Sequence, residues 1–389
     1  MAGYPLSIST VMATAVAPSA HHHGSHRLLL SPVGAADSVP ADVDAIIVPT
    51  SRPTANLSKA IALAAELDCL LVALCSKLAK ADGAEREARK SGVKIVAIDT
   101  GTLPSGLMPE FATSTRLRST EFHRSTDLSS KRNLGLLLAD VIGWERVVFL
   151  DDDITVHRPD DLRDAAGLLS CHAAVGLAND GYHDNSVVCH AYRDAGGRQD
   201  SFIGGGALAV GEESFRSFFP NIYSEDWFFL IGENNRLRRT AVTGKALQSP
   251  YDPFSDIRRA RAEEFGDCLA EGIYRLLDSG GRIQDATFKY WRGFLDSRRR
   301  FIDDVRRMVA ASGLDPVLKA RRLAALTAAR NRSMSITPKL CVDYLRWWRA
   351  DRDRWKLHLE DIREEHGFDL ELEKALARLG LMHCSRIAV

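Results

Sequence analysis

The 389 residues balance 51 Lys plus Arg against 51 Asp plus Glu, with 45% apolar and 26% charged residues. This ordinary globular composition can bury a sizeable core, and its zero net charge gives no electrostatic footprint of a nucleic-acid partner. No apolar run approaches the ~20 residues that span a bilayer, so no integral membrane segment is expected. The seven scattered cysteines with no C-x-x-C pair read as the reduced thiols of a cytoplasmic protein.

Residues 1–42 read as a flexible leader. Its first twenty residues lack the basic start of a signal peptide. His21, His22, His23 and His26 lie among Gly, Ser and Pro and are expected to be polar and solvated, not a metal site. From 43 onward, apolar runs alternate with helical periodicity. Residues 45–48 predict a strand closed by the loop 49–53, 57–67 a helix with Asn56 as cap, 69–74 a second strand, 76–91 a second helix and 93–99 a third strand. Strands and helices alternating at this spacing predict a mainly parallel sheet covered on both faces.

Residues 101–126 are rich in Gly, Pro, Ser and Thr and carry no clear period. The stretch 127–142 predicts an amphipathic helix stopped by Gly143. Residues 147–150 then form a short apolar strand that ends in Asp151, Asp152 and Asp153. Three adjacent acids repel one another, and a divalent cation would supply the missing positive charge. They fall at the carboxyl end of a strand, where ligands bind in open α/β sheets.

Further along, 159–169 reads as a helix, and 173–177 and 187–192 as strands. Residues 202–210 are an apolar run interrupted by Gly204, Gly205 and Gly206, which points to a close approach by another group. A short helix is expected over 212–219. Glu225 and Asp226 open an aromatic helical turn over 223–230, where acids suit the helix dipole, and 239–246 reads as a last strand. Beyond 255 the chain predicts five helices, 257–277, 288–311, 316–331, 340–366 and 371–379. Arg298, Arg299 and Arg300 read as a solvated helix face, and Trp347, Trp348 and Trp355 as core packing. The expected division is 1–42 leader, 43–254 α/β catalytic domain and 255–389 helical region.

The segment Lys131-Arg132-Asn133-Leu134-Gly135, then Ala139, then 148–153 resembles the "R-N-x-G…A…hhhhD-x-D" pattern of GT-A fold nucleotide-sugar glycosyltransferases of the inverting family 2 type. The glycine cluster and the later Glu-Asp-Trp follow in the same order. The resemblance implies a GT-A, Rossmann-like mixed sheet over 43–250 and a Mn²⁺- or Mg²⁺-dependent transfer from a UDP- or GDP-sugar to a hydroxyl of a small-molecule or glycan acceptor. It implies metal ligation by Asp153 and Asp151, and donor contacts from Pro49, Thr50, Ser51, Arg52, Asp99, Lys131, Arg132, Asp151, Asp152 and Gly204 to Gly206. Asp226 would be the general base with Glu225 supporting it, and Trp227 an acceptor platform. The helical region is expected to shape the acceptor site or an oligomer contact. The Q-x-x-R-W segment of processive relatives is missing, so a non-processive enzyme is expected. A third metal ligand falls to Gln248 or Asp252, because no histidine occurs between His190 and His358.

Residues 147–155 also resemble the nucleophile motif of haloacid-dehalogenase phosphatases, with Asp151 as the nucleophile. A nucleotidyltransferase on the same sheet and a non-catalytic binding scaffold are the remaining alternatives.

Overall fold

The computed structural model describes residues 19–34, 38–183 and 185–388. Strands β1 (Ser31–Pro32), β2 (Ala45–Thr50), β3 (Leu70–Cys75), β4 (Ile95–Asp99), β5 (Arg146–Leu150), β6 (Ile154–Thr155), β7 (Ala174–Asn179), β8 (Ala207–Gly211), β9 (Thr240–Gln248) and β10 (Ser385–Ala388) make one mixed sheet. Its order is β1-β9-β7-β8-β5-β2-β3-β4-β10, with β6 paired to β9 off that path. The strands β4, β3, β2 and β5 run parallel, and β8 inserts antiparallel beside β5.

Helices cover both faces: α1 (Ser58–Leu67), α2 (Ala81–Lys90), α3 (Ala112–Leu117), α4 (Leu128–Ile142), α5 (Asp160–Leu168), α6 (Val187–Asp194), α7 (Glu225–Phe229), α8 (Ile257–Asp278), α9 (Phe288–Ala311), α10 (Pro316–Ser335), α11 (Pro338–His366) and α12 (Leu372–Arg378). The unbroken apolar runs follow from this double cover. Successive strand side chains point to opposite faces, so Ala45, Ile47, Val147 and Phe149 enter one core while Ile46, Val48, Val148 and Leu150 enter the other.

The expected boundary at 254/255 does not divide the core. Trp348, Trp355 and Leu376 of the helical region share one apolar cluster with Ile47 and Phe149 of the sheet, and β10 returns to pair with β4. A strand was expected over 187–192, but α6 forms there. Val187, Val188, Ala191 and Tyr192 recur at helical spacing in a third cluster. Ser186 caps the start by accepting from Cys189 N–H, and Glu263 accepts from Val187 N–H. The 212–219 helix shrinks to a 3₁₀ turn over Glu212–Ser214. Asn56 lies inside a 3₁₀ turn, and its side chain caps nothing.

The leader also departs from expectation where it is described. His26 is buried between Glu271 (3.0 Å) and Asp278, and His23 is buried against Phe294. Residues 1–18 and 35–37 lie outside the described residues. Arg298, expected in solvent, is fully buried. No helix among the described residues is long and apolar enough to cross a membrane.

Candidate active site

The parallel strands fix where the chemistry-bearing side chains meet. The ends of β2 and β5 bring Thr50 and Arg52 against the three acids. Thr50 Oγ1 donates to Asp152 Oδ2 at 2.6 Å, and Arg52 donates to Asp152 at 2.6 Å and Asp153 at 2.8 Å. Asp152 is the buried member of the three, and burial pushes its carboxyl above the usual range. It ties two strand ends together. Asp153 is anchored through its backbone carbonyl, which accepts from Ser249 N–H (3.0 Å) and Oγ (2.7 Å).

Because β8 runs antiparallel to β5 with Leu150 opposite Ala207, Gly206 is delivered to Asp151, whose N–H donates to Gly206 O at 2.9 Å. Arg132, on α4, then crosses between two acid motifs. Its Nη2 donates to both oxygens of Asp151 (2.9 and 3.1 Å), and its Nη1 donates to Glu225 at 2.6 Å. Arg132 and Glu225 are both buried. Burial pushes the Glu225 carboxyl up, and Arg132 opposes that shift.

The next residue, Asp226, lies at the surface of a cavity of about 220 Å³ that is also lined by Asp151, Gly205 and Trp227. Its carboxylate accepts from Gly205 N–H (2.7 Å) and from Trp227 N–H (2.9 Å). Trp227 is half-buried among Phe202, Tyr274 and His26, with ring centroids 5.1, 4.5 and 5.6 Å away. A second concavity of about 200 Å³, lined by Pro49, Ser51, Arg52, Lys77, Asp127 and Asp153, adjoins the first through Asp151 and Leu128, which line both.

Of the expected donor residues, Lys131 lines the groove with its ammonium bonded within the protein, whereas Thr50 and Asp99 line neither concavity. Lys131 Nζ is buried and donates to Thr50 O (2.8 Å) and Ser76 Oγ (2.7 Å) beside Asp127 (3.2 Å), so its donors are engaged within the protein. Asp99 does not line the groove; it accepts from Ala81 N–H (3.0 Å) at the start of α2. Gln248 and Asp252 do not line either concavity, and Asp252 is paired with Arg321.

Among the described residues, no group of three or more His, Cys, Asp or Glu side chains is placed to hold a metal ion. Asp151 and Asp153 do offer carboxylates that are 29% and 21% exposed, both facing the groove. Two hard oxygen donors fit a Mg²⁺- or Mn²⁺-sized ion whose remaining ligands come from phosphate and water. Arg52, the cation paired with Asp153 in the groove, is 47% exposed.

Several lining residues escape sequence reading, chiefly Asn185 before α6 and Asp267 and Glu271 of α8. The i, i+4 spacing of the last two on one helix face was the available signal. No protein-family model and no curated protein matches the chain. Among solved structures, a mannosyltransferase, PcManGT from Pyrobaculum calidifontis in complex with GDP-Man and Mn²⁺, aligns over 91% of this chain and 92% of its own at 15% identity, with a TM-score of 0.43. A197 from STIV aligns over 54% of this chain and 86% of its own at 12% identity, with a TM-score of 0.29. Likenesses this loose assign no activity.

Proposed function

We propose that this protein is a nucleotide-sugar-dependent glycosyltransferase that moves a sugar to an acceptor hydroxyl with inversion and without processive elongation. The observation that carries the reading is the join between two concavities. An acid-edged groove at the ends of β2 and β5 shares Asp151 with a cavity in which Asp226 is held by Gly205 N–H.

In this reading the nucleotide lies along Pro49, Ser51 and Arg52, and the sugar points past Asp151 towards Asp226. Asp226 accepts the proton of the acceptor hydroxyl. The hydroxyl oxygen bonds to the anomeric carbon from the far face, and the bond to the phosphate oxygen breaks with its electron pair on the nucleoside diphosphate. Glu225 and Arg132 position this machinery: Arg132 fixes Asp151, and Glu225 fixes Arg132 beside Asp226. Asp151 and Asp153 are the candidate ligands for a Mn²⁺ or Mg²⁺, which when bound supplies positive charge to the departing diphosphate.

The phosphatase alternative asks Asp151 to act as a nucleophile and gives Asp226, held by Gly205 N–H on the shared cavity, no role. A nucleotidyltransferase would occupy the groove but leaves Asp226 without a task. Melting shifts with UDP, GDP, dTDP and CDP, with and without Mn²⁺, test the donor assignment. At least one nucleotide should stabilise the protein more with Mn²⁺ present. Hydrolysis of an aryl phosphate without any nucleotide effect would favour the phosphatase.

A further inference from the structure

The cavity around Asp226 extends well past the residues assigned to transfer. Its far wall is built by Asp267 and Glu271 of α8, with Asn185 and Gln199 beside them. Asp267 is buried and accepts from Arg298 at 2.5 Å; Arg298 is also held by Glu264, at 3.0 and 2.9 Å. Glu271 is buried and meets the His26 ring at 3.0 Å, and the other ring nitrogen of His26 meets Asp278. Each inner cation is therefore shared between two carboxylates. Five acids line the cavity (Asp151, Glu225, Asp226, Asp267 and Glu271) against two cations, Arg124 and Arg132, with Arg298 and His26 bonded to the wall acids Asp267 and Glu271. The adjoining groove differs, since Lys77 and Arg52 both line it.

Two buried donors on the cavity lining lack a partner, Asn185 Nδ2 and Nε of Arg132; Arg132 is only 2% exposed. A ligand that satisfies this lining must accept from an N–H and donate to carboxylates. A hydroxyl does both, whereas a phosphate or carboxylate only accepts and would add like charge.

We infer that the cavity selects a polyhydroxylated acceptor free of anionic groups, with Asp267 and Glu271 as specificity-determining residues that repel phosphorylated and acidic sugars. This inference rests on the glycosyltransferase reading and names the acceptor class for the same site. The lining carries more acids than arginines, and at the far wall Asp267 and Glu271 would meet an anionic substituent with like charge.

The test uses the full chain saturated with whichever nucleoside diphosphate stabilises it. Ligand-observed NMR then compares the methyl glycosides of glucose, mannose and galactose with the 6-phosphates of the same hexoses. At least one methyl glycoside should bind, and every 6-phosphate should bind at least about tenfold more weakly than that glycoside, the penalty of juxtaposed like charge. Glu271→Gln should shrink this preference, and Asp267→Asn provides a second variant if the first unfolds. A 6-phosphate binding as tightly as the neutral sugars, or no methyl glycoside binding at all, overturns the inference. Nucleotide binding in the same samples separates the two levels: its loss in the wild-type chain would count against the transferase reading itself, whereas its retention would confine the failure to the acceptor class.

Discussion

The guanidinium of Arg132 fills the space that a side chain at Gly205 would need. A Cβ on Gly205 would lie 2.5 Å from Arg132 Nη1 and 2.6 Å from its central carbon. Arg132 cannot step aside cheaply, because Asp151 and Glu225 hold it in a buried position. Gly205→Ala should therefore destabilise the fold by about 1–3 kcal/mol, the usual cost of overpacking. Urea denaturation measures it, and an unchanged midpoint would mean that Arg132 relaxes freely.

Removing the cation is expected to cost more. Arg132→Met leaves Asp151 and the buried Glu225 without their counter-charge, a type of change that costs about 3–5 kcal/mol. Restoring Arg132 in combination with Glu225→Gln should recover most of that loss, because a neutral amide still accepts from Nη1. Comparing the three denaturation midpoints tests the ordering.

Arg298 and Arg300 make a contrasting pair on one helix. Arg298 is buried against Glu264 and Asp267, and Arg300 is exposed. Arg298→Met should cost about 3–5 kcal/mol, while Arg300→Ala should stay within about 0.5 kcal/mol. Similar losses from both variants would contradict the burial assignment.

His26 makes stability depend on pH. Burial alone would lower its pKa, but Asp278 and Glu271 outweigh burial and raise it from the ordinary 6.5 to about 9. A folded-state value above the unfolded one stabilises the protein fully below pH 6.5, and the contribution fades as pH rises through about 9. The melting-temperature advantage of wild type over His26→Gln should therefore be largest near pH 6 and shrink towards pH 9.5. A gap that stays flat across that range would show that the imidazolium charge contributes nothing.

Much of the sheet is readable in the chain itself, since the apolar runs at 45–48, 69–74 and 147–150 fall within or against β2, β3 and β5. The acids at 151–153 and the Glu225-Asp226 pair stand out as charge placed where burial would otherwise be expected. The partners that organise them do not stand out. Arg132 is expected as a donor contact, yet it bridges the two acid motifs because β8 runs antiparallel beside β5, a pairing with no local sequence signature. Gly204 to Gly206 suggest room for a sugar, and at Gly205 the neighbour is Arg132 instead. α6 is hidden by its β-branched Val187 and Val188, which local propensity assigns to a strand until Ser186 and Glu263 supply the cap. The C-terminal helices read correctly as helices, but only packing reveals that Asp267 and Glu271 turn towards Asp226.

The metal assignment has its own consequence. Asp153→Ala should abolish the Mn²⁺-dependent part of nucleotide binding while leaving the fold intact, because Asp153 is anchored by its backbone carbonyl to Ser249. Calorimetry with and without Mn²⁺ measures this; identical Mn²⁺ dependence in wild type and variant would move the metal site elsewhere.

The most direct measurement is sugar transfer by Asp226→Asn, using the nucleotide sugar whose nucleotide stabilises the protein and a neutral glycoside acceptor. Loss of the general base should lower turnover by about 10²–10⁴-fold while the affinity for the nucleoside diphosphate stays unchanged. Transfer at the wild-type rate by Asp226→Asn would contradict the assignment of Asp226 as the base.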